Sequence, residues 1–339
     1  MVSRFGAFLF AMPKVYTDWL GIQEPCNSIC ASCICIVILW RLRRVIALRV
    51  TKFIRGGQLQ ILFIGDIFGR PGRTIVRDHL TALLKEHAVD LCIANGENAA
   101  GGFGLTPQIA EEFFNLGIDV ITTGNHVWDK RELTEYFNAA ANEPYSPARR
   151  VLRPANYPAG TPGTGVYEGS TRAGIPYAVV NLQGRVFMAN IDDPFRVADR
   201  LLKEISAKVI FVDMHAEATS EKVALGWYLD GRVTAVVGTH THIPTADARV
   251  LPQGTAYQTD VGMTGPYDSV IGVQKEQIVQ RFLTSLPGRF EAATNDVRFC
   301  AALIECDEHT GIARRIQRIM LSRDGQAAIA EDWPAASGK

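Results

Sequence analysis

Short apolar runs that each break off into polar, chemistry-bearing residues constrain this chain more than any other feature. Ile61-Leu62-Phe63-Ile64-Gly65 ends at Asp66, and Leu91-Cys92-Ile93-Ala94-Asn95-Gly96 ends at Glu97-Asn98. Asp119-Val120-Ile121-Thr122-Thr123-Gly124 ends at Asn125-His126, and Val209-Ile210-Phe211-Val212-Asp213-Met214 ends at His215. Val233-Thr234-Ala235-Val236-Val237 runs into Gly238-Thr239-His240-Thr241-His242. Such runs are strands, and ligands of open α/β sheets collect at strand ends. The chain has seven histidines, and four of them (126, 215, 240 and 242) fall at these ends. Side chains alternate along a strand, so His240 and His242 are expected to leave the same face.

Helical periodicity fills the gaps. Ile75, Val76, Leu80, Leu83 and Leu84 predict a helix over 73–87. The first half reads as strand 60–65, that helix, strand 90–95, helix 107–116, strand 119–122 and helix 130–139. Residues 142–169, with five prolines and four glycines, read as a long connector. Strand 176–182, helix 194–206, strand 209–214, helix 220–230 and strand 233–237 follow. Hairpins at 249–259 and 297–319, turning at Gly254 and Gly311, enclose a helix at 274–285. No internal repeat is visible.

The strand ends together offer two carboxylates, two Asn amides and three or four imidazoles. That is enough for two metal ions sharing a ligand. An isolated His-x-His is more often a pair of surface histidines; four polar motifs placed alike weigh against that. Oxygen and imidazole ligands without thiolate suit Mn, Fe or Zn. Taken alone, the metal set argues only for hydrolysis at phosphorus.

The ordered motifs resemble those of the calcineurin-type metallophosphoesterases. Ile-Gly-Asp-Ile-Phe-Gly-Arg-Pro-Gly-Arg (64–73), Asn-Gly-Glu-Asn-Ala-Ala-Gly-Gly-Phe-Gly (95–104), Thr-Gly-Asn-His-Val-Trp-Asp (123–129) and Asp-Val-Gly-Met-Thr-Gly-Pro (260–266) are similar to the YmdB-like branch. The resemblance covers about residues 59–320. It implies a four-layer sandwich: an α/β fold of two mixed β-sheets flanked by helices. It also implies a dinuclear centre of divalent or trivalent ions, Fe or Mn with Zn admitted. Asp66, Glu97, Asn98 and His242 would hold one ion, and Glu97, Asn125, His215 and His240 the other. Phe68 stands where common members carry a ligand His, and Asn98 replaces it. The implied reaction is attack by a metal-bridging hydroxide on a small phosphodiester, notably a 2′,3′-cyclic nucleotide, with His126 as general acid. The bland alternative for His126 is packing beside Trp128 or hydrogen bonding to a ligand. The resemblance further allows a homo-oligomer.

Other residues carry weaker signals. The glycines at 101, 102 and 104 permit close approach to a phosphate and place Phe103 against a base, although a connector is the commoner meaning of such a run. Arg70 and Arg73 meet either phosphate or solvent. Asp260 either anchors a ligand imidazole or serves a turn. Two further function classes stay open: a phosphomonoesterase or nuclease on the same metals, and a metal-bound regulatory module with incidental hydrolysis.

The termini differ in character. Residues 1–58 hold Cys26, Cys30, Cys33 and Cys35 in no standard metal spacing. Their apolar run at 34–40 is far short of the ~20 residues of a membrane helix. They are expected to be a non-native or disordered extension, followed by a metallophosphoesterase domain at 59–323 and a disordered tail at 324–339. Lys plus Arg balance Asp plus Glu at 35 each, which argues against stable nucleic-acid binding. The scattered Cys92, Cys300 and Cys306 fit a reducing, cytoplasmic setting, with no membrane partner expected.

Overall fold

The computed structural model describes residues 56–327. Residues 1–55 and 328–339, and with them most of the expected extension and tail, lie outside the described residues. The first strand begins at Gln58, one residue ahead of the boundary expected from sequence. Residues 324–327, assigned to the tail, turn back on the sheet: the Ser322 amide donates to the Gln326 carbonyl at 2.9 Å, and Ala327 bridges Leu321.

The first half alternates as its periodicity demands. β1 (Gln58–Ile64), α1 (Gly69–Glu86), β2 (Leu91–Asn95), α2 (Pro107–Leu116), β3 (Val120–Thr122) and α3 (Arg131–Ala139) follow in order. Helix α1 starts four residues before the expected 73, with Pro71 in its first turn. α2 starts with the Thr106 hydroxyl accepting from the Ile109 amide and stops at Gly117, whose φ of 104° is left-handed. The expected connector contains β4 (Val151–Leu152) and β5 (Val166–Ser170), too short and too rich in turn residues to show a period. Then come β6 (Pro176–Gln183), α4 (Pro194–Glu204), β7 (Val209–His215), α5 (Thr219–Leu229) and β8 (Ala235–Thr239). Asp193 caps α4, accepting from the Phe195 and Arg196 amides. The chain closes with β9 (Arg249–Val250), β10 (Ala256–Gln258), β11 (Gly265–Pro266), α6 (Lys275–Thr284), β12 (Val297–Asp307) and β13 (Ala313–Leu321).

These strands form two mixed sheets. One has the order β11-β12-β1-β2-β3-β4 with β13 added on β12; the other runs β5-β6-β7-β8-β10-β9. β1 to β4 are parallel, as are β6, β7, β8 and β10, and the antiparallel strands lie toward the edges. Period-two alternation builds the layers. Leu59, Ile61 and Phe63 face the second sheet and meet Val209, Phe211, Ala235 and Val237, with the Phe63 and Phe211 rings 4.9 Å apart. Leu62 and Ile64 face outward onto Ile75, Val76, Leu80 and Phe113 of α1 and α2. On the far side Val180, Val212 and Val236 pack under Val197, Leu225 and Leu229 of α4 and α5. The result is helix, sheet, sheet, helix, with the carboxyl ends of β1, β2, β3, β7 and β8 gathered at one edge. Among the described residues no helix is long and apolar enough to cross a membrane.

Candidate metal centre

Both sheets contribute to that edge. The first supplies Asp66 after β1, Glu97 and Asn98 after β2, and Asn125 and His126 after β3. The second supplies His215, the last residue of β7, and His240 and His242 beyond β8. Asp66, Glu97, Asn98, His215 and His242 are buried. One donor atom each from Glu97, His215 and His240 lies within 4.8 Å of the others. His215 Nε2 is 3.0 Å from Glu97 Oε1, 3.0 Å from Asn125 Oδ1 and 3.1 Å from His240 Nδ1.

Proton positions follow from the outer nitrogens. His242 Nδ1 lies 2.9 Å from the Ile271 carbonyl and His240 Nε2 lies 3.2 Å from a Glu217 carboxylate oxygen. Neither oxygen can donate, so both nitrogens carry the proton. His215 Nδ1 is 2.8 Å from the Thr239 hydroxyl, which itself donates to Asp213 Oδ1 at 2.8 Å and must therefore accept from the ring. All three imidazoles thus turn a lone pair inward. His215 Nε2, His240 Nδ1, Glu97 Oε1 and Asn125 Oδ1 form a cluster of acceptors, which is stable only around positive charge. Without a cation, a proton on His215 facing Glu97 supplies that charge. Burial works against ionising Glu97, yet His215 holds its carboxyl down at about 2. Burial likewise opposes a charged His215, and Glu97 nevertheless raises its pKa. Burial and the neighbouring His215 push His240 down to about 3, so it stays neutral and free to ligate.

The other half of the site is looser. Asp66 Oδ1 is buried without a hydrogen-bond partner and lies 3.9 Å from His242 Nε2. Burial and the neighbouring Asp260 push the Asp66 carboxyl well up, a cost that an adjacent cation would offset. Asn98 Nδ2 sits 3.1 Å from His242 Nε2 and 3.3 Å from Glu97 Oε1, so ligation by Asn98 would use Oδ1 on the amide's other side. The donor set of Glu97, His215 and His240 fits a bound cation.

One expectation needs correction, and one open alternative is decided. β8 ends at Thr239, and His240 and His242 lie beyond it with left-handed φ of 96° and 67°. Strand alternation therefore does not set their direction. The strained backbone sends the His240 ring toward His215 and the His242 ring toward Asn98 and Asp66. Asp260 bonds no imidazole. It takes the buried Lys222 ammonium at 2.7 Å, the Thr241 amide and hydroxyl at 3.1 and 2.7 Å, and the Gly262 amide at 2.8 Å. It anchors the His-x-His loop through its middle residue. Lys222→Met, which strands the Asp260 charge in the interior, should cost about 3–5 kcal/mol, read as a lower urea midpoint.

The His126 ring faces away from the cluster. Its amide donates to Glu97 Oε2 at 3.3 Å, its Nδ1 lies 2.9 Å from Asp129 Oδ2, and its ring meets Phe103 edge-on at 5.1 Å. Trp128 packs on Phe137 and Tyr157 instead. Arg73 Nη1 reaches the Ala99 carbonyl at 3.4 Å. Gly124 must be glycine, because a Cβ there would lie 2.1 Å from the His215 ring.

Sequence reasoning missed a buried polar network beneath the centre. Asp213 Oδ2 accepts from Thr122 Oγ1 at 2.5 Å and Asn95 Nδ2 at 3.1 Å, joining the two sheets. Asp213 lies two residues before His215 and Thr239 directly before His240; only that proximity signals them. Thr239→Val, which removes the acceptor for His215 Nδ1–H, should weaken metal binding about 10–100-fold, while Thr239→Ser retains it. Titration with a competing chelator measures both.

Fold and site together define a two-sheet α/β sandwich with a Glu/His cluster that could hold a cation at the shared strand edge. Residues 62–319 match the family model described as YmdB-like protein, and the chain belongs to that family. It is 48% identical over 268 residues to a 2′,3′-cyclic-nucleotide 2′-phosphodiesterase of Bacillus subtilis, covering 78% of this chain and 98% of the relative. A crystal structure of a hypothetical protein from Thermus thermophilus superposes with a TM-score of 0.72 at 44% identity, covering 78% of this chain and 99% of the other. That of a novel phosphatase from Mycoplasma pneumoniae gives a TM-score of 0.72 at 32% identity, with 78% and 94% covered.

Proposed function

We propose that the chain is a metal-dependent phosphodiesterase that opens 2′,3′-cyclic nucleotides to the monoester. The observation that carries the reading is the inward-facing acceptor cluster of Glu97, Asn125, His215 and His240. The similarity to the Bacillus subtilis phosphodiesterase supports the substrate class. The centre would comprise Asp66, Glu97, Asn98 and His242 for one ion, and Glu97, Asn125, His215 and His240 for the other. When bound, the ions supply charge stabilisation at phosphorus and an activated water.

The protein's own part is proton delivery and placement. A new bond forms from water oxygen to phosphorus, and the bond from phosphorus to a ribose oxygen breaks with its electron pair going to that oxygen. A ribose alkoxide is a poor leaving group, so it needs a proton as the bond breaks. His126 Nε2 supplies it, while Asp129 at Nδ1 orients the ring. The hydrogen bond from the His126 backbone amide to Glu97 Oε2 fixes the acid relative to the residue that both ions would share.

Hydrolysis of 2′,3′-cyclic AMP beside bis(4-nitrophenyl) phosphate and 4-nitrophenyl phosphate, with Mn or Fe present, tests the reading. Turnover of both diesters is expected. Turnover of the monoester alone would establish a phosphatase instead, the reading favoured by the Mycoplasma pneumoniae structure's description. Two bound ions without any turnover would favour a regulatory module.

A further inference from the structure

We infer that Phe103 forms a nucleobase platform at the mouth of the site, making the enzyme selective for cyclic nucleotides over cyclic sugar phosphates; this rests on the phosphodiesterase reading above. The loop after Glu97-Asn98 closes on itself, with the Ala100 amide donating to the Gly104 carbonyl at 2.9 Å and the Gly102 amide to the Asn98 carbonyl at 3.1 Å. Gly101, Gly102 and Gly104 all have left-handed φ, from 76° to 102°. At Gly102 and Gly104 an added Cβ would meet Phe68 at 3.0 Å and Lys130 at 2.8 Å. These glycines fix a tight loop whose one large side chain, Phe103, is 37% exposed.

Its position explains the exposure. The Phe103 ring lies 5.1 Å from the His126 ring, edge-on. In a cyclic diester the leaving oxygen stays attached to ribose, so the sugar remains beside His126 throughout the reaction. The base hangs on the sugar carbon next to the one bearing the 2′-oxygen. A proton delivered to O2′ by His126 therefore brings the base alongside His126, where Phe103 stands. Every base offers a π-face, so such a platform selects for a nucleoside without choosing among bases.

Binding of the product-like 3′-AMP and of ribose 3-phosphate to the metal-loaded full chain, measured by calorimetry, separates this inference from the function it rests on, because neither ligand needs turnover. The wild type is expected to bind 3′-AMP about 5–150-fold more tightly than ribose 3-phosphate. Phe103→Ala should abolish most of that preference while leaving ribose 3-phosphate affinity unchanged, and Phe103→Tyr should keep it. An unaltered preference in Phe103→Ala, or none in the wild type, overturns the platform. An equal loss for both ligands in Phe103→Ala also overturns it, by showing that Phe103 acts through His126 or the loop alone. A wild type with the base preference but only monoesterase turnover refutes the phosphodiesterase reading and leaves the platform standing.

Discussion

Glu97→Ala is expected to lower hydrolysis of 2′,3′-cyclic AMP by about 10³-fold or more and to reduce bound metal together with it. The carboxylate meets residues from three of the strand ends. Oε1 meets His215 at 3.0 Å and Asn98 at 3.3 Å, and Oε2 accepts from the His126 amide at 3.3 Å. Its removal takes away the carboxylate that His215 faces and frees the loop bearing the acid. Metal content by mass spectrometry and kcat on the same preparation check this. A variant that keeps two ions and near-normal turnover would remove Glu97 from the centre.

His126→Ala should separate chemistry from metal binding. On a cyclic nucleotide, loss of the proton donor is expected to cost about 10²–10⁴-fold in kcat. On bis(4-nitrophenyl) phosphate the loss should stay below about tenfold, since 4-nitrophenolate leaves without a proton. Metal content should not change, because the ring faces Asp129 and Phe103 rather than the acceptor cluster. Equal losses on both substrates would mean that His126 merely supports the loop.

The strand ends are legible in the sequence because burial on both faces makes β1, β2 and β7 nearly continuous apolar runs, so the polar residue ending each stands out. The pairing of late hairpins at Gly254 and Gly311 is legible from turn chemistry alone. β4 and β5 are not, since two- and five-residue strands among prolines show no period. The directions of His240 and His242 are hidden for a local reason: a left-handed residue cancels the alternation that a strand would impose. Beyond the nearness of Asp213 and Thr239 to histidines, these two and Asn95 give no signal, because their meaning arises between sheets. Asn95 ends β2 and Asp213 nears the end of β7, 118 positions apart in sequence, and only the face-to-face packing brings Asn95 Nδ2 to Asp213 Oδ2.

Asp66, Glu97, Asn98 and Asn125 ride on one sheet, and His215, His240 and His242 on the other. Neither sheet alone presents a complete coordination sphere, so an ion held by both acts as a clasp across the sandwich. Any opening that slides the sheets apart would have to release such an ion first, and the free energy of ion capture would then add to the resistance of the protein to unfolding. In such an arrangement the reactive centre doubles as the last bolt of the fold, and metal starvation would be felt as lost stability as well as lost activity.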